Sequence, residues 1–377
     1  MTEPDATIEP FTTPVDADAL TDLRDRLHRT RWSGAEVVDD WSQGVPQAEV
    51  QRLCAYWADG YDWAARAARL DRFPQFRTTI DGLGVHYVHV RSPEPGALPL
   101  LITHGWPGSI VEFQDVIGPL SDPAAHGAKG SPAFHVVCPS LPGYGWSDAP
   151  TGPGVGVARI ATMWAQLMAR LGYDRYGAQG GDWGSMVTTA LGALDVEHLV
   201  GIHLNMPIVF GEPETDAERA MAADLQEFMR TGAGYQAVQG TRPQTLGYGL
   251  ADSPAAQLAW IADKLWAWSD NGGELGACFS DDQILDNVML YWLPGTGTSS
   301  ARLYWETMRH FDVLTVGVPV GCSIFPKEIF RTSRRLAGAH FGQLAYFNEL
   351  DRGGHFAAFE QPELFVDEVR AAFSSMS

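Results

Sequence analysis

The chain has little of what marks a secreted, membrane-spanning or nucleic-acid-binding protein. Its 377 residues include four cysteines, Cys54, Cys138, Cys278 and Cys322, widely separated and without the short spacings of a metal site. Thiols scattered in this way exclude a disulfide framework and point to unpaired, buried side chains in a reducing compartment. No stretch comes near the roughly 20 consecutive apolar residues that a membrane-crossing helix needs. The opening Met1-Thr2-Glu3-Pro4-Asp5 has neither the basic nor the apolar part of a secretory signal. Basic charge is scarce as well: 26 Lys and Arg stand against 46 Asp and Glu, a formal net charge of -20. Such a surface repels phosphate backbones and anionic lipids alike. A cytoplasmic protein is expected, with no nucleic-acid partner, no membrane partner, no metal and no cofactor. Internal repeats and low-complexity tracts are lacking too, so the length suits one large domain with an insertion, or two domains.

What is present is an α/β pattern. Apolar runs at Val85–Val90, Leu98–Thr103, Phe134–Cys138 and Val318–Ile324 are separated by helical or loop segments. Strands spaced in this way predict a mostly parallel sheet with helices on both faces. Ile160, Met163, Trp164, Leu167 and Leu171 recur at helical spacing, and Gly172 stands where that helix stops. A short strand then leads into Gly180-Gly181-Asp182-Trp183-Gly184, after which Ser185–Leu194 has no proline and is rich in alanine and leucine.

A helix, a strand, a glycine-rich turn and a second helix make the setting of a nucleophile elbow, where Gly-x-Ser-x-Gly stands a reactive side chain clear of the sheet. Here the side chain is Asp182. Serine needs a base to remove its proton, whereas a carboxylate with an ordinary pKa of about 3.9 is an anion at neutral pH. Attack on an sp3 carbon would give an alkyl ester, which suits epoxides or alkyl halides. The plain alternative is a turn in which Asp182 bonds its own backbone.

Hydrolysis of such an ester needs an oxyanion site and a base. The first calls for the N–H after the nucleophile, Trp183, and a second N–H from a loop after an earlier strand. His104-Gly105-Trp106-Pro107-Gly108-Ser109 directly follows Leu98–Thr103 and places Trp106 there, with His104 read as a structural residue bonding backbone. The base is expected at His355 in Gly353-Gly354-His355-Phe356, since the order nucleophile, acid, histidine fits this fold and an imidazole titrates near neutrality. For the carboxylate that orients it, Glu328 follows the strand-like Gly317–Ile324, but Asp312, Glu349 and Asp351 stay open on spacing alone.

Taken together, the His-Gly-Trp-Pro-Gly-Ser loop, the Gly-Gly-Asp-Trp-Gly elbow, Phe325-Pro-Lys-Glu328 and Arg352-Gly-Gly-His-Phe-Ala-Ala-Phe-Glu360 resemble the microsomal-type epoxide hydrolases of the α/β-hydrolase superfamily. The resemblance reaches into the N-terminal region through Ile8-Glu-Pro-Phe11, Asp22–Leu27, Tyr61-Asp-Trp63 and Phe76–Gly82. Spacing alone shows there only a helical, loop-rich segment packed on the core. The resemblance implies Asp182 as nucleophile, Glu328 as acid and His355 as base. It also implies Tyr235 and Tyr304 as donors to the epoxide oxygen, a choice over Tyr248 or Tyr291 that no local spacing makes. The resemblance is not expected to carry over a membrane location, since no hydrophobic anchor is read ahead of the N-terminal region.

The expected activity is conversion of an epoxide and water to a vicinal diol through an ester on Asp182. A bulky or aromatic substrate is expected, in natural-product biosynthesis or detoxification. Haloalkane dehalogenation with the same aspartate, and with Trp183 donating to halide, is the alternative. The expected organisation is an N-terminal extension over 1–95 that includes the first core strand, a first half of the core over 96–206, a helical cap over 207–297 and a second half over 298–377. The extension also offers a surface for a homodimer.

Overall fold

The computed structural model describes residues 7–309 and 314–376. These contain nine strands in one sheet: β1 (Ile8–Phe11), β2 (Gln75–Ile80), β3 (Leu83–Val90), β4 (Leu98–Thr103), β5 (Phe134–Pro139), β6 (Tyr176–Gly180), β7 (Leu199–Leu204), β8 (Val320–Ile324) and β9 (Leu344–Glu349). Their spatial order is β1-β2-β3-β5-β4-β6-β7-β8-β9. Every pair from β5 across to β9 is parallel, whereas β1, β2 and β3 are antiparallel to one another and β3 is antiparallel to β5. The α/β-hydrolase sheet is thus mostly parallel, as the apolar runs imply. The N-terminal region does more than pack on the core, because it adds β1 and β2 to the sheet. Asp81 and Gly82 join β2 to β3 with φ of +52° and +79°, the left-handed pair that a two-residue hairpin turn of the right twist requires.

Both faces of the central strands are covered; β6 and β8 are buried at every residue. Adjacent residues of β7 point to opposite layers. A Cβ at Gly201 would meet Met376, just past the helix Pro362–Ser374, while Ile202 meets Gly192 in the helix Asp182–Leu194. The helix Val157–Arg170 buries Ile160, Met163, Trp164 and Leu167 and packs on Asp182–Leu194. It stops where the sequence predicts, with Gly172 at φ +81°. Cys54, Cys138 and Cys322 are buried and Cys278 is half-buried. No helix among the described residues is long and apolar enough to cross a membrane.

Between β7 and β8 the chain leaves the sheet for a run of helices: Asp216–Thr231, Gly234–Thr241, Pro243–Asp252, Pro254–Trp268, Asp281–Trp292 and Gly297–Thr307. Pro243 and Pro254 open their helices, where a missing N–H costs nothing, and Ser253 Oγ caps Ala256 N–H at 3.2 Å. The last of these helices packs on Pro243–Asp252 and Gly234–Thr241, so Tyr304 sits with the insertion rather than with the sheet. N-terminal helices lie against the same insertion. There Asp286, buried in Asp281–Trp292, accepts from Tyr61 Oη at 2.8 Å and pairs with Arg66 at 2.5 Å.

Candidate active site

Asp182, Glu328 and His355 follow the C-terminal ends of the parallel strands β6, β8 and β9, the edge where open α/β sheets place their ligands. The sharpest bend follows β6. Asp182 has φ +49°, a left-handed conformation that a residue with a side chain adopts only when its surroundings enforce it. The surroundings here are tight: a Cβ at Gly180 would fall 2.1 Å from Gly184 O, and one at Gly184 would fall 1.9 Å from Thr103 O. The glycines of the motif therefore let the elbow press against β4. Behind it, Asn205 follows β7, accepts from Gln179 Nε2 at 2.8 Å and donates its N–H to Gly180 O at 3.3 Å.

The Asp182 carboxylate is divided between two partners. Oδ1 accepts the Trp106 N–H at 2.7 Å, and Oδ2 faces His355 Nε2 at 3.5 Å. Gly105 makes the first contact feasible, since a Cβ there would fall 2.1 Å from Oδ1. Among the described residues no hydrogen bond from the Trp183 N–H reaches the carboxylate. That N–H belongs to the first turn of Asp182–Leu194, whose donors have no partner within the helix. His104 behaves as a structural residue: Nε2 accepts the Leu141 N–H at 3.2 Å and Nδ1 donates to Gly105 O at 2.9 Å. Burial pushes its pKa down to about 4 and keeps it neutral.

On its other side His355 meets Glu328, with Nδ1 2.7 Å from Oε1. Among the alternatives, Glu349 is exposed at the end of β9 and Asp351 is exposed beside Arg352, while Asp312 lies outside the described residues. The two loops are joined by their backbones, since the Lys327 N–H donates to Gly353 O at 3.1 Å. Burial alone would lower the pKa of His355, but the Glu328 and Asp182 carboxylates outweigh it and hold the imidazole well above its ordinary value.

Facing Asp182 is an aromatic wall built mostly by the insertion. The Trp106 ring stacks on Tyr235 with centroids 5.1 Å apart and meets Tyr304 edge-on at 5.8 Å. Tyr304 in turn stands edge-on to Trp183 at 4.6 Å. Its hydroxyl is sealed from solvent and meets the Tyr235 hydroxyl in an imperfect hydrogen bond. Burial, then the Asp182 charge, raises the pKa of Tyr235; for Tyr304 burial leads, followed by Tyr235 and Asp182. Both phenols therefore stay protonated and able to donate. The competing tyrosines have other duties: Tyr291 Oη donates to Gly108 O at 2.6 Å, and Tyr248 is exposed. Lys264 Nζ lies 4.9 Å from the Tyr235 ring centroid, a cation over its face.

Two features of the site carry no separate signal in the sequence. Trp268, one of several tryptophans in the insertion, packs edge-on against the His355 ring at 5.0 Å, and its carbonyl accepts the His355 N–H at 2.9 Å. Asn287 ties the insertion to the Trp106 loop: Nδ2 donates to Pro107 O and Oδ1 accepts from Ser109 Oγ, both at 2.7 Å. Beside the Asp182 carboxylate lies a cavity of about 20 Å3 bordered by Trp106, Glu112, Asn205 and His355. A larger hollow lined by Met186, Ile208, Thr307 and Leu314 contains none of these groups.

Comparison with known proteins agrees with this geometry. Residues 8–113 match the family described as epoxide hydrolase N terminus, and residues 99–244 match the alpha/beta hydrolase fold. A protein of Stigmatella aurantiaca, an epoxide hydrolase by name, is 53% identical over 375 residues, covering 98% of this chain and 85% of that one. Epoxide hydrolase 1 of Sus scrofa is 34% identical over 97% of this chain and 88% of its own. The crystal structure of juvenile hormone epoxide hydrolase from the silkworm Bombyx mori superposes with a TM-score of 0.92 at 30% identity, covering 99% of this chain and 96% of that one. Nothing in these relatives favours the haloalkane dehalogenase alternative. An elbow aspartate, a histidine and acid behind it, and a family-wide likeness along the whole chain lead to one assignment: this chain belongs to the microsomal-type epoxide hydrolases of the α/β-hydrolase superfamily.

Proposed function

We propose that this epoxide hydrolase works through a covalent ester on Asp182, with His355 as base, Glu328 orienting it, Tyr235 and Tyr304 holding the epoxide oxygen, and the Trp106 and Trp183 N–H groups forming the oxyanion site. The observation that carries the reading is the division of the carboxylate, with Oδ1 on the Trp106 N–H at 2.7 Å and Oδ2 facing His355 at 3.5 Å.

Asp182 Oδ2 attacks one ring carbon, and the carbon–oxygen bond of the epoxide breaks with its electron pair going to oxygen. A tyrosine proton neutralises the alkoxide, and the imidazolium proton of His355 restores the phenol. The change of charge prepares the next step. While Asp182 is an anion, it helps to hold the proton on His355; once it is an ester that attraction is gone and the imidazole becomes a base. Water then gives a proton to His355 Nε2 and bonds to the Asp182 carboxyl carbon, with negative charge collecting on Oδ1 at the amide donors. Collapse breaks the bond from that carbon to Oδ2, the alkoxide takes the proton back from His355, and the diol leaves carrying the original Oδ2.

The helices that follow residue 207 act as a cap that shapes the site, and the packing of Gly297–Thr307 on them brings Tyr304 into the same body. The buried aromatic wall of Trp106, Trp183, Tyr235 and Trp268 supports a bulky or aromatic epoxide as substrate. His355→Ala tests the roles. General-base help contributes about 100-fold to 10,000-fold, so this variant should form one ester per site on Asp182 and then stall. Mass spectrometry of the quenched protein reads it, and a variant that never carries the ester contradicts the assignment.

A further inference from the structure

We propose that the cavity beside Asp182 is the seat of the hydrolytic water, and that Glu112 holds this water from the side opposite His355 as a positioning residue. This rests on the reading of Asp182 as the covalent nucleophile.

The room is of the right size. A cavity of about 20 Å3 suits a single ordered water, which needs roughly 10–15 Å3 and two to four polar partners. The walls supply those partners in the Asp182 carboxylate, His355, the Asn205 side chain and Glu112.

Glu112 enters the cavity through a gap left for it. It belongs to the short helix Ile110–Phe113, immediately after the loop that carries Trp106. A Cβ built on Gly108 would fall 1.4 Å from Glu112 Oε1, so the carboxyl occupies the space that any side chain at 108 would need. Asn287 and Ser109 hold this loop, and Ser109 Oγ caps the short helix through the Val111 N–H at 3.2 Å. The same scaffold therefore fixes the oxyanion donor and the carboxyl together.

Charge agrees with a guiding role rather than a proton-taking one. Burial pushes Glu112 up to about 8, with His355 pulling it down and Asp182 pushing it up. Near pH 7 the group is a neutral acid, so it adds no anion to a pocket that already holds Asp182 and Glu328. Its carbonyl oxygen accepts one hydrogen of the water while His355 Nε2 takes the other. A lone pair is left free for the carboxyl carbon of the ester. In the step itself the water O–H bond breaks toward His355, the new C–O bond forms at Asp182, and the carbonyl electron pair moves to Oδ1. Glu112 begins and ends protonated.

Single-turnover reactions with styrene oxide test the proposal, with ester formation and ester decay timed separately by rapid quench and mass spectrometry. Glu112→Met keeps length and an apolar fit but removes the acceptor, while Glu112→Gln restores one. Misplacing a reactant by about 1 Å costs about 100-fold. The ester should therefore decay about 100-fold more slowly in the Met variant, with its formation at the wild-type rate, and the Gln variant should recover most of the loss. Ester decay at the wild-type rate in Glu112→Met overturns the proposal. So does an equal slowing of both steps, which would make Glu112 a structural prop of the loop. Absence of any ester in the wild-type enzyme would instead overturn the nucleophile on which the proposal stands.

Discussion

The His355 N–H is held by the carbonyl of Trp268 at 2.9 Å, and the two rings meet edge-on at 5.0 Å. His355 thus takes its position from the inserted helices as well as from its own loop. Neighbouring bonds reinforce the link, since Gly353 N–H donates to Asp270 Oδ2 at 3.0 Å, while Glu360 accepts from Phe356 at 3.0 Å and from Asp270 at 2.7 Å. Trp268→Phe should cost about 1–3 kcal/mol in urea unfolding and slow ester hydrolysis more than ester formation. Stopped-flow comparison of the two steps checks this; equal rates in variant and wild type would detach Trp268 from the base.

Tyr304 offers a separation of activity from stability. Its hydroxyl is buried beside that of Tyr235, with which it makes an imperfect hydrogen bond, so deleting it removes a desolvated group together with that weak bond. Tyr304→Phe should melt within about 4 °C of the wild type, yet lose about 100-fold to 1000-fold in the rate of ester formation, the usual cost of one missing donor to a developing oxyanion. Calorimetry and single-turnover kinetics read the two effects.

The raised pKa of His355 has a signature in stability. Burial opposes the shift, but Glu328 and Asp182 prevail, so the folded value lies above the unfolded one of about 6.5. A base bound more tightly in the folded state contributes stability that is fully present below the unfolded pKa. It is lost as pH rises through the folded pKa. The difference in Tm between wild type and His355→Gln should therefore be largest near about pH 6 and shrink as pH rises through that folded value. A difference independent of pH would mean that His355 is not charged in the free enzyme.

The sequence was most legible where chemistry constrains the backbone. Gly180, Gly181 and Gly184 announce the elbow because each lacks a side chain that the fold has no room for, and β3, β4, β5 and β8 show as strand-like apolar runs because most of their residues are buried. β1 was not legible as a strand: it is four residues long, lies at the sheet edge, contains Pro10 and is mostly exposed. β7 carries the buried His203, which bonds Ser323 at 2.8 Å, and so breaks its own apolar run. Spacing left Glu328 level with other carboxylates, because only tertiary structure brings it to 2.7 Å from His355. Trp266 and Trp268 look alike in the chain, yet one stacks on Trp41 at 4.6 Å and the other packs against His355. Glu112 was hidden as one of 46 acidic residues, since a cavity leaves no mark on local sequence.

The nucleophilic role of Asp182 is tested most directly by a single turnover of excess enzyme with an epoxide in water enriched in oxygen-18. Attack by the carboxylate sends an old Asp182 oxygen into the diol and a solvent oxygen into the side chain. The peptide containing Asp182 should gain one heavy oxygen while the first diol released stays unlabelled. A labelled diol with an unlabelled Asp182 would mean that water opens the ring directly, and the covalent account would fail.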